Sequence, residues 1–349
     1  FVDSKGAPTS LKNGSVVDVD ASQAAYEQWS QKSVAERAAV VKRISELLAE
    51  RSKDIAALIT TEMGKSLGAA VGEVRYSAQI FGYYADEAEE LLADQPIKQF
   101  SGQEAFVQRL PIGPLLGIMP WNFPVYQVAR FVAPNLVLGN TILLKHAEIN
   151  PQVAQLLEEL FTEAGLPEGV YQNVFATHDQ ISTIIADPRV QGVSLTGSER
   201  AGAAVAEQAG RHLKKVVLEL GGSDAFVVLD DKDIDRVAKE AVFARVSNNG
   251  QACTNSKRFI VVEEAYDAFV EAFAHRVSEI ELGDPQDEGF FLGPLVTTSH
   301  RDELAEQLKD AVDKGAKVEA GGTVPDRDGA WIEATVLTGV TPDMRAYSE

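Results

Sequence analysis

Cys253 is the residue in this sequence whose type and setting most directly favour chemistry, and it is the single cysteine among 349 residues. A lone cysteine cannot form an internal disulfide or build a cysteine-based zinc site. It follows a predicted helix over residues 233–248 and the helix-ending run Asn248-Asn249-Gly250, so we expect it on a connecting loop. A thiol there can meet a ligand, and a nearby cation or oriented N–H groups would favour its thiolate. The alternative is a small buried residue without chemistry.

Upstream of that loop, predicted strands alternate with predicted helices. The strands cover residues 115–119, 141–144, 170–175, 190–195 and 215–220, and the helices cover 125–138, 152–164, 180–186 and 199–209. Repeated strand–helix units with nearly continuous apolar strands predict a parallel, doubly wound sheet. Such sheets bind ligands at the carboxyl ends of their strands. The polar residues that follow the strands are therefore candidates: Asn122, Lys145, Thr196-Gly197-Ser198 and Glu219.

Two of these candidates suit carbonyl chemistry together with Cys253. Glu219 ends an apolar strand, and we expect its carboxyl to be buried, which would raise its pKa and suit a general base. Asn122 is an amide donor on a proline-bounded loop and could hold an oxyanion. Assembled with a nicotinamide as hydride acceptor, these groups suit aldehyde oxidation through a thioester, although composition and spacing alone do not lead to that mechanism. Separately, each also fits a structural role: a turn-forming asparagine, or a capping or salt-bridging glutamate.

Other residues at the strand ends could hold a cofactor. Gly197 and Ser198 lie between a strand and a helix, where free N–H groups can meet a phosphate. This is not the three-glycine dinucleotide fingerprint, and a plain turn fits equally well. Lys145 and Glu148 are close enough in sequence to reach the same ribose, although a solvated turn is the alternative.

The overall charge narrows the classes of partner. A net charge of −20 disfavours nucleic acid and anionic membrane, which both need a basic face. No apolar run reaches the roughly 18 residues of a membrane span, and no signal peptide is visible. We expect a cytoplasmic enzyme with no metal site.

Outside the alternating region, the sequence predicts further elements. An amphipathic helix is expected over residues 24–50, and a second helical region over 54–92 with a break at Met63-Gly64-Lys65. Residues 97–110 alternate weakly and predict a pair of strands extending from the body. Past Gly221-Gly222, strands and helices resume. We therefore expect an N-terminal, dinucleotide-binding domain over 1–220 and a catalytic domain over 221–349.

Taken together, the motifs resemble those of the aldehyde dehydrogenase superfamily in order and spacing. They are Pro120-Trp121-Asn122-Phe123-Pro124, Lys145 with Glu148, Thr196-Gly197-Ser198, Glu219-Leu220-Gly221-Gly222 and Gly250-Gln251-Ala252-Cys253. The resemblance implies a Rossmann-type parallel sheet with a second α/β catalytic domain, and NAD or NADP as cofactor. It implies that Cys253 is the nucleophile, Asn122 the oxyanion donor and Glu219 the base. It also implies a set of cofactor-binding residues: Trp121, Lys145, Glu148, Gly197, Ser198 and Gly202.

Several runs are most similar to the short bacterial succinate-semialdehyde dehydrogenases: Glu62-Met63-Gly64-Lys65, Lys145-His146-Ala147, residues 218–224 and Lys257-Arg258-Phe259. Relatives that use this substrate place an arginine eight residues after the asparagine, where this chain has Arg130. Because an arginine can bind a carboxylate with two parallel hydrogen bonds, the resemblance implies that Arg130 holds the distal carboxylate of the substrate. A helix-surface arginine is the alternative.

The sequence departs from this pattern in two places. Relatives of the short type often have a small hydroxyl residue in place of Glu148, and many use NADP. A carboxylate at this position would repel a 2′-phosphate, so we predict a preference for NAD. Family chains also run roughly a hundred residues further, so the chain is expected to be a fragment with an incomplete catalytic domain.

Other readings of the same motifs remain open. A relative that passes the acyl group to coenzyme A usually lacks the base that Glu219 would supply. Other aliphatic or aromatic aldehydes, an inactive fragment and a non-catalytic scaffold protein are further alternatives. The resemblance also implies a homo-oligomer, formed in part through the strands predicted over 97–110.

Overall fold

The computed structural model describes residues 19–98, 102–230, 232–287 and 292–348. The chain divides into two compact units. One contains residues 19–55 and Val71–Leu220, and the other contains Ala56–Ala70 and the residues from Gly221 onward. Residues 56–70 thus group with the later part of the chain.

The N-terminal helices are shorter than predicted. The prediction of one continuous helix over residues 24–50 is wrong, because the structure has two separate helices, α1 (Val19–Trp29) and α2 (Val34–Glu50). Ser33 ends the connection between them with a capping box, in which its Oγ accepts Glu36 N at 3.2 Å and Glu36 Oε2 accepts Ser33 N at 2.8 Å. The apolar spacing runs on across this break, so it does not reveal the cap.

The second helical region consists of α3 (Ser52–Met63), α4 (Leu67–Asp86) and α5 (Ala88–Leu92). The predicted break at Met63-Gly64-Lys65 is confirmed, and Gly64 adopts the left-handed φ of +77° that stops α3. None of the helices in the described part of the chain is long and apolar enough to cross a membrane.

The strand pair expected over 97–110 is much smaller than predicted. The structure has a two-residue antiparallel pairing of β1 (Gln95–Pro96) with β2 (Phe106–Val107), and both strands are exposed. Residues 99–101 of the prediction lie outside the described residues.

A five-stranded parallel sheet forms the centre of the first unit, as predicted. Its strands are β3 (Pro114–Ile118), β4 (Thr141–Lys145), β5 (Tyr171–Asn173), β6 (Gly192–Thr196) and β7 (Lys215–Glu219). They lie in the order β5-β4-β3-β6-β7. The connecting helices are α6 (Tyr126–Leu138), α7 (Pro151–Glu163), α8 (His178–Ala186) and α9 (Glu199–Arg211).

Burial is uneven across this sheet. Leu116 of β3 and Leu143 of β4 are fully buried and join the core with Val193 and Leu195 of β6. In contrast, β7 is an edge strand with exposed Val216 and Val217. The apolar sequence of β7 therefore does not make it a central strand.

The second unit has two small sheets of its own. Strands β8 (Asp224–Val228) and β9 (Ser256–Val261) pair in parallel, and β10 (Lys317–Ala320) pairs with β11 (Val336–Thr338) in antiparallel fashion. The helices are α10 (Ile234–Val246), α11 (Glu263–Ser278), α12 (Thr298–Asp313) and α13 (Arg345–Ser348). Phe259 packs against Phe269 and Phe273 in its core. Strand β10 was not among the predicted elements.

The carboxyl end of α6 depends on a buried arginine. Arg37 of α2 is 6% exposed, and its Nε donates to Val137 O at 2.8 Å. Burial lowers the pKa of Arg37. Arg43 of the same helix instead makes exposed ion pairs with Glu46 and Glu50.

We expect Arg37→Met to lower the free energy of unfolding by about 2 kcal/mol, because Val137 O at the end of α6 loses a charged donor. Arg43→Met is the matched control and should cost less than about 1 kcal/mol, since its pairs are exposed. Urea unfolding followed by circular dichroism measures both. Equal losses in the two variants would contradict the assigned role of Arg37.

Candidate active site

The carboxyl ends of the strands in the first unit meet at one edge of the sheet. Ile118 at the end of β3 is paired with Lys145 of β4 on one side and with Leu195 of β6 on the other. Thr196 is paired in turn with Glu219 of β7. This register brings together Lys145, Thr196 and Glu219, and the loop with Trp121 and Asn122 starts from the same edge.

The order of the strands places a topological switch point at this edge. From β3 the chain goes first to β4 and β5 on one side, and then to β6 and β7 on the other. Doubly wound sheets bind ligands in the crevice outside such a point. Here the loop after β3 and the β6–α9 turn flank that position.

The β6–α9 turn has the features of an anion-binding helix start. Gly197 N donates to Glu219 O at 3.0 Å, and Ser198 is the N-cap of α9, with its Oγ accepting Ala201 N at 3.3 Å. A Cβ on Gly197 would approach no described atom more closely than 3.6 Å, so this position is open for a ligand. These features fit the pyrophosphate of a dinucleotide.

Gly202 sets how closely α9 approaches the strand end. A Cβ at this position would lie 2.6 Å from Leu220 Cδ2. Glycine therefore allows the first turn of α9 to pack against Leu220, as the third glycine of dinucleotide folds does between helix and sheet.

The β4–α7 turn carries the predicted ribose-binding pair. Lys145 is partly buried, and burial lowers its pKa, whereas the neighbouring charge of Glu148 acts in the opposite direction. Glu148 itself is exposed. His146 between them is 4% exposed, and burial followed by the charge of Lys145 lowers its pKa to about 3. His146 is therefore neutral near pH 7.

The loop that carries Trp121 and Asn122 is held from α4. The Glu73 carboxylate is 6% exposed and accepts hydrogen bonds from Val125 N at 2.9 Å and Tyr126 N at 3.1 Å. Both backbone groups belong to the start of α6. No local pattern in the sequence indicates this contact, because Glu73 lies 52 residues before Val125.

Arg130 and Glu219 lie together at the sheet edge. Arg130 Nη2 is 3.4 Å from Glu219 Oε2 and donates to Thr196 Oγ1 at 3.2 Å. The Glu219 side chain is 56% exposed, so the expectation of a buried carboxyl is wrong. The reason is that β7 is an edge strand, which leaves its end open to solvent.

A cleft of about 470 Å³ runs along the sheet beside these residues. Its lining combines apolar side chains with the Arg130–Glu219 pair: Leu115, Met119, Arg130, Phe131, Val193, Thr196, Val217 and Glu219. A mainly apolar cleft with a few convergent polar groups has the character of a small-molecule site.

In the second unit, Cys253 is exposed on a turn after α10, so the predicted loop position is confirmed. The predicted helix stop takes an unusual form. Asn248, Asn249 and Gly250 have successive φ values of +56°, +56° and +72°. Three consecutive left-handed residues are costly unless other contacts fix them.

Asparagine side chains supply those contacts on both sides of the cysteine. Asn249 is 7% exposed; its Nδ2 donates to Gly64 O at 2.7 Å, and its Oδ1 accepts Gly293 N at 3.1 Å. Asn255 Nδ2 donates to Arg245 O and Ser247 O, both at 2.9 Å. The turn with Cys253 is thus fixed at both ends.

Two cations lie near this turn. Arg245 Nη1 donates to Gly250 O at 3.0 Å, and Lys257 Nζ donates to Gly222 O. Burial, followed by the charge of Arg245, lowers the pKa of Lys257, while Asp224 and Cys253 act in the opposite direction.

Among the residues that the structure describes, no group of three or more His, Cys, Asp or Glu side chains could hold a metal ion.

The fold and the residues at the sheet edge are typical of α/β proteins with a dinucleotide-binding parallel sheet. The comparisons then define the family. The model of the aldehyde dehydrogenase family matches residues 15–349, and the chain belongs to this family. It is an NAD(P)-dependent enzyme that oxidises an aldehyde to a carboxylic acid.

Individual relatives agree with this assignment. The chain is 53% identical to a succinate-semialdehyde dehydrogenase [NADP(+)] of Deinococcus radiodurans, over 95% of this chain and 69% of the relative. The solved structure of succinic semialdehyde dehydrogenase from Streptococcus pyogenes with NADP+ is 41% identical. The two structures match with a TM-score of 0.93, and the match covers 96% of this chain and 75% of the Streptococcus chain. The structure of PnpE with nicotinamide adenine dinucleotide is 32% identical, with a TM-score of 0.88 over 93% of this chain and 68% of that one.

We expect Gly202→Val to raise the KM for NAD(P) about tenfold and to lower the free energy of unfolding by about 1–3 kcal/mol, because the added side chain displaces Leu220 or α9. Gly210→Val is the matched control in the same helix, since a Cβ there meets nothing within 4 Å. Cofactor titrations and urea unfolding of both variants measure the effects. An unchanged KM for the cofactor in Gly202→Val would contradict a role of α9 in cofactor binding.

Proposed function

We propose that the protein oxidises succinate semialdehyde to succinate through a thioester on Cys253. The observation that carries this proposal is the 53% identity, along 95% of the chain, to a protein named as a succinate-semialdehyde dehydrogenase. The placement of Arg130 at the carboxyl edge of the sheet, where it already contacts a carboxylate, supports the same substrate.

In the proposed reaction, the Cys253 thiolate attacks the aldehyde carbon and forms a C–S bond. The Asn122 amide donates a hydrogen bond to the resulting oxyanion. NAD(P)+, when bound, supplies the acceptor for the hydride that leaves this carbon. Glu219 then takes a proton from water as the water oxygen attacks the thioester carbon. The C–S bond breaks, the acid is released and the Cys253 thiolate is restored.

Two features of the structure favour these roles. Cys253 is exposed on a turn that Asn249 and Asn255 fix at both ends, so an aldehyde can reach its sulfur. Glu219 is more than half exposed at the sheet edge, so water can reach the carboxylate that must activate it.

Arg130 is proposed to bind the distal carboxylate of the substrate. Its side chain is 32% exposed, lies 5.7 Å from the centroid of the Tyr126 ring and lines the apolar cleft. A guanidinium matches a carboxylate with two parallel hydrogen bonds, whereas an uncharged aldehyde such as propanal offers no such partner.

The cofactor is NAD or NADP, and the preference between them belongs to the proposal. Exposed Glu148 at the β4–α7 turn favours NAD, because a carboxylate repels a 2′-phosphate. The names of the Deinococcus and Streptococcus relatives instead carry NADP+. The prediction that this chain prefers NAD over NADP therefore rests on Glu148.

Trp121, Lys145, Gly197, Ser198 and Gly202 are proposed to line the cofactor site together with Glu148. We further propose that the protein is a cytoplasmic homo-oligomer, and that the β1–β2 pair contributes to its assembly. The exposed Phe106 and Val107 of β2 are consistent with a surface that another chain covers.

The direct test is NAD(P)H formation with succinate semialdehyde and with propanal. We expect turnover to favour succinate semialdehyde and to fall to background in Cys253→Ala. Arg130→Leu should lower kcat/KM for succinate semialdehyde about 100-fold, because the substrate carboxylate loses its charged partner. The same variant should change kcat/KM for propanal less than about threefold.

Three results would contradict parts of this proposal. Acyl-coenzyme A formation upon addition of coenzyme A would favour the acyl-transferring relatives. Equal losses for both aldehydes in Arg130→Leu would reassign Arg130 to the support of Glu219. Turnover that survives in Cys253→Ala would exclude the thioester.

The cofactor preference is tested with Glu148→Ser. We expect the wild type to have the higher kcat/KM with NAD, and the variant to shift the NADP/NAD ratio by about tenfold toward NADP, because one like charge is removed. Glu163→Ser removes the same charge from the carboxyl end of α7 and should leave the ratio unchanged. A wild-type preference for NADP would show that Glu148 does not exclude the 2′-phosphate.

A further inference from the structure

The loop that presents Asn122 leads into a helix that does not cap itself. Helix α6 begins at Tyr126, and its N-cap residue, Val125, has φ −100° and ψ −42° and makes no side-chain cap. Pro124, just before it, has no N–H group. The first N–H groups of a helix have no partner within the helix. Gln127 N donates to Phe123 O in the preceding turn at 3.0 Å, whereas Val125 N and Tyr126 N need an acceptor from another element.

Glu73 of α4 supplies this acceptor. One carboxylate oxygen, Oε1, accepts both Val125 N at 2.9 Å and Tyr126 N at 3.1 Å. The residue is 6% exposed. Burial of a carboxylate is costly unless donors compensate it, and here they are the positive end of a helix.

Aromatic rings reinforce the same attachment. Tyr76, one turn further along α4, stacks on Tyr126 with 5.7 Å between the ring centroids. Tyr126 in turn meets the ring of Phe123 edge-on at 5.9 Å. Phe123 directly follows Asn122, so α4 fixes the chain immediately after the predicted oxyanion donor.

We propose that Glu73 is a positioning residue for the reaction, which holds the start of α6 so that the Asn122 amide stays aimed at the developing oxyanion. The inference rests on the proposed function, because Asn122 needs a fixed position only if it stabilises charge. A donor misplaced by about 1 Å can cost a hundredfold in rate. Glu73 acts through Asn122 and does not touch the substrate.

A purely structural role for Glu73 makes a different prediction, and a double-mutant cycle with Asn122 separates the two. If Glu73 acts through Asn122, its removal costs little once the amide is gone. If Glu73 only stabilises the fold, its removal costs the same in both backgrounds.

The experiment compares Glu73→Ala, Asn122→Ala and the double variant in steady-state aldehyde oxidation. We expect Glu73→Ala to lower kcat about tenfold with the cofactor KM unchanged within twofold, and to lower kcat less than twofold in the Asn122→Ala background. A tenfold loss in both backgrounds would overturn the proposal.

A control and a milder variant keep the test decisive. Asp86→Asn, also in α4, removes a carboxylate whose exposed pair with Lys42 Nζ measures 2.7 Å, and it should leave kcat unchanged. If Glu73→Ala does not fold, Glu73→Gln keeps an acceptor oxygen without the charge. It should cost about threefold in the wild-type background and nothing measurable without Asn122.

Hydrogen exchange tests the contact independently of turnover. Glu73→Ala should speed exchange of the Val125 and Tyr126 amides at least about tenfold relative to Asp86→Asn, because these amides lose their acceptor. Unchanged exchange would overturn the proposal even where activity falls. A wild type that forms no NAD(P)H with any aldehyde would instead refute the proposed function, whatever the exchange result.

Discussion

Parallel pairing in one common register is the constraint on which the first unit depends. Ile118 pairs with both Lys145 and Leu195, and Thr196 pairs with Glu219, so β3, β4, β6 and β7 end within one residue of the same level. Polar side chains that are up to 74 residues apart in sequence thereby share one edge, at the point where the strand order reverses. A slip of one residue in any pair would turn the side chains of that strand to the opposite face.

The loops at this edge and in the second unit are fixed by buried polar side chains. Glu73 holds the start of α6, and Asn249 holds the left-handed run before Cys253 through Gly64 and Gly293. In both cases a buried side chain satisfies backbone groups of a segment that regular structure leaves unpaired. The strands determine where the loops begin, and these contacts determine where the side chains on them point.

The sequence was sufficient to predict the parallel sheet, the break at Gly64 and the loop position of Cys253, because these depend on local patterns and turn residues. It was insufficient for the break between α1 and α2, where the apolar spacing continues across the capping box of Ser33 and Glu36. It could not reveal Glu73 or Asn249, since their partners lie 52 and 185 residues away. Contacts of that range follow from packing, which no local pattern encodes.

The two carboxylates Glu73 and Glu219 show why apolar surroundings in the sequence do not predict burial. Glu219 follows three apolar residues of β7, yet it is 56% exposed because no described strand pairs with the outer side of β7. Glu73 is 6% exposed because the start of α6 provides donors for it. A base must exchange protons with water, and a positioning group must not move. Exposure gives water access to Glu219, whereas the backbone donors hold the Glu73 carboxylate in place.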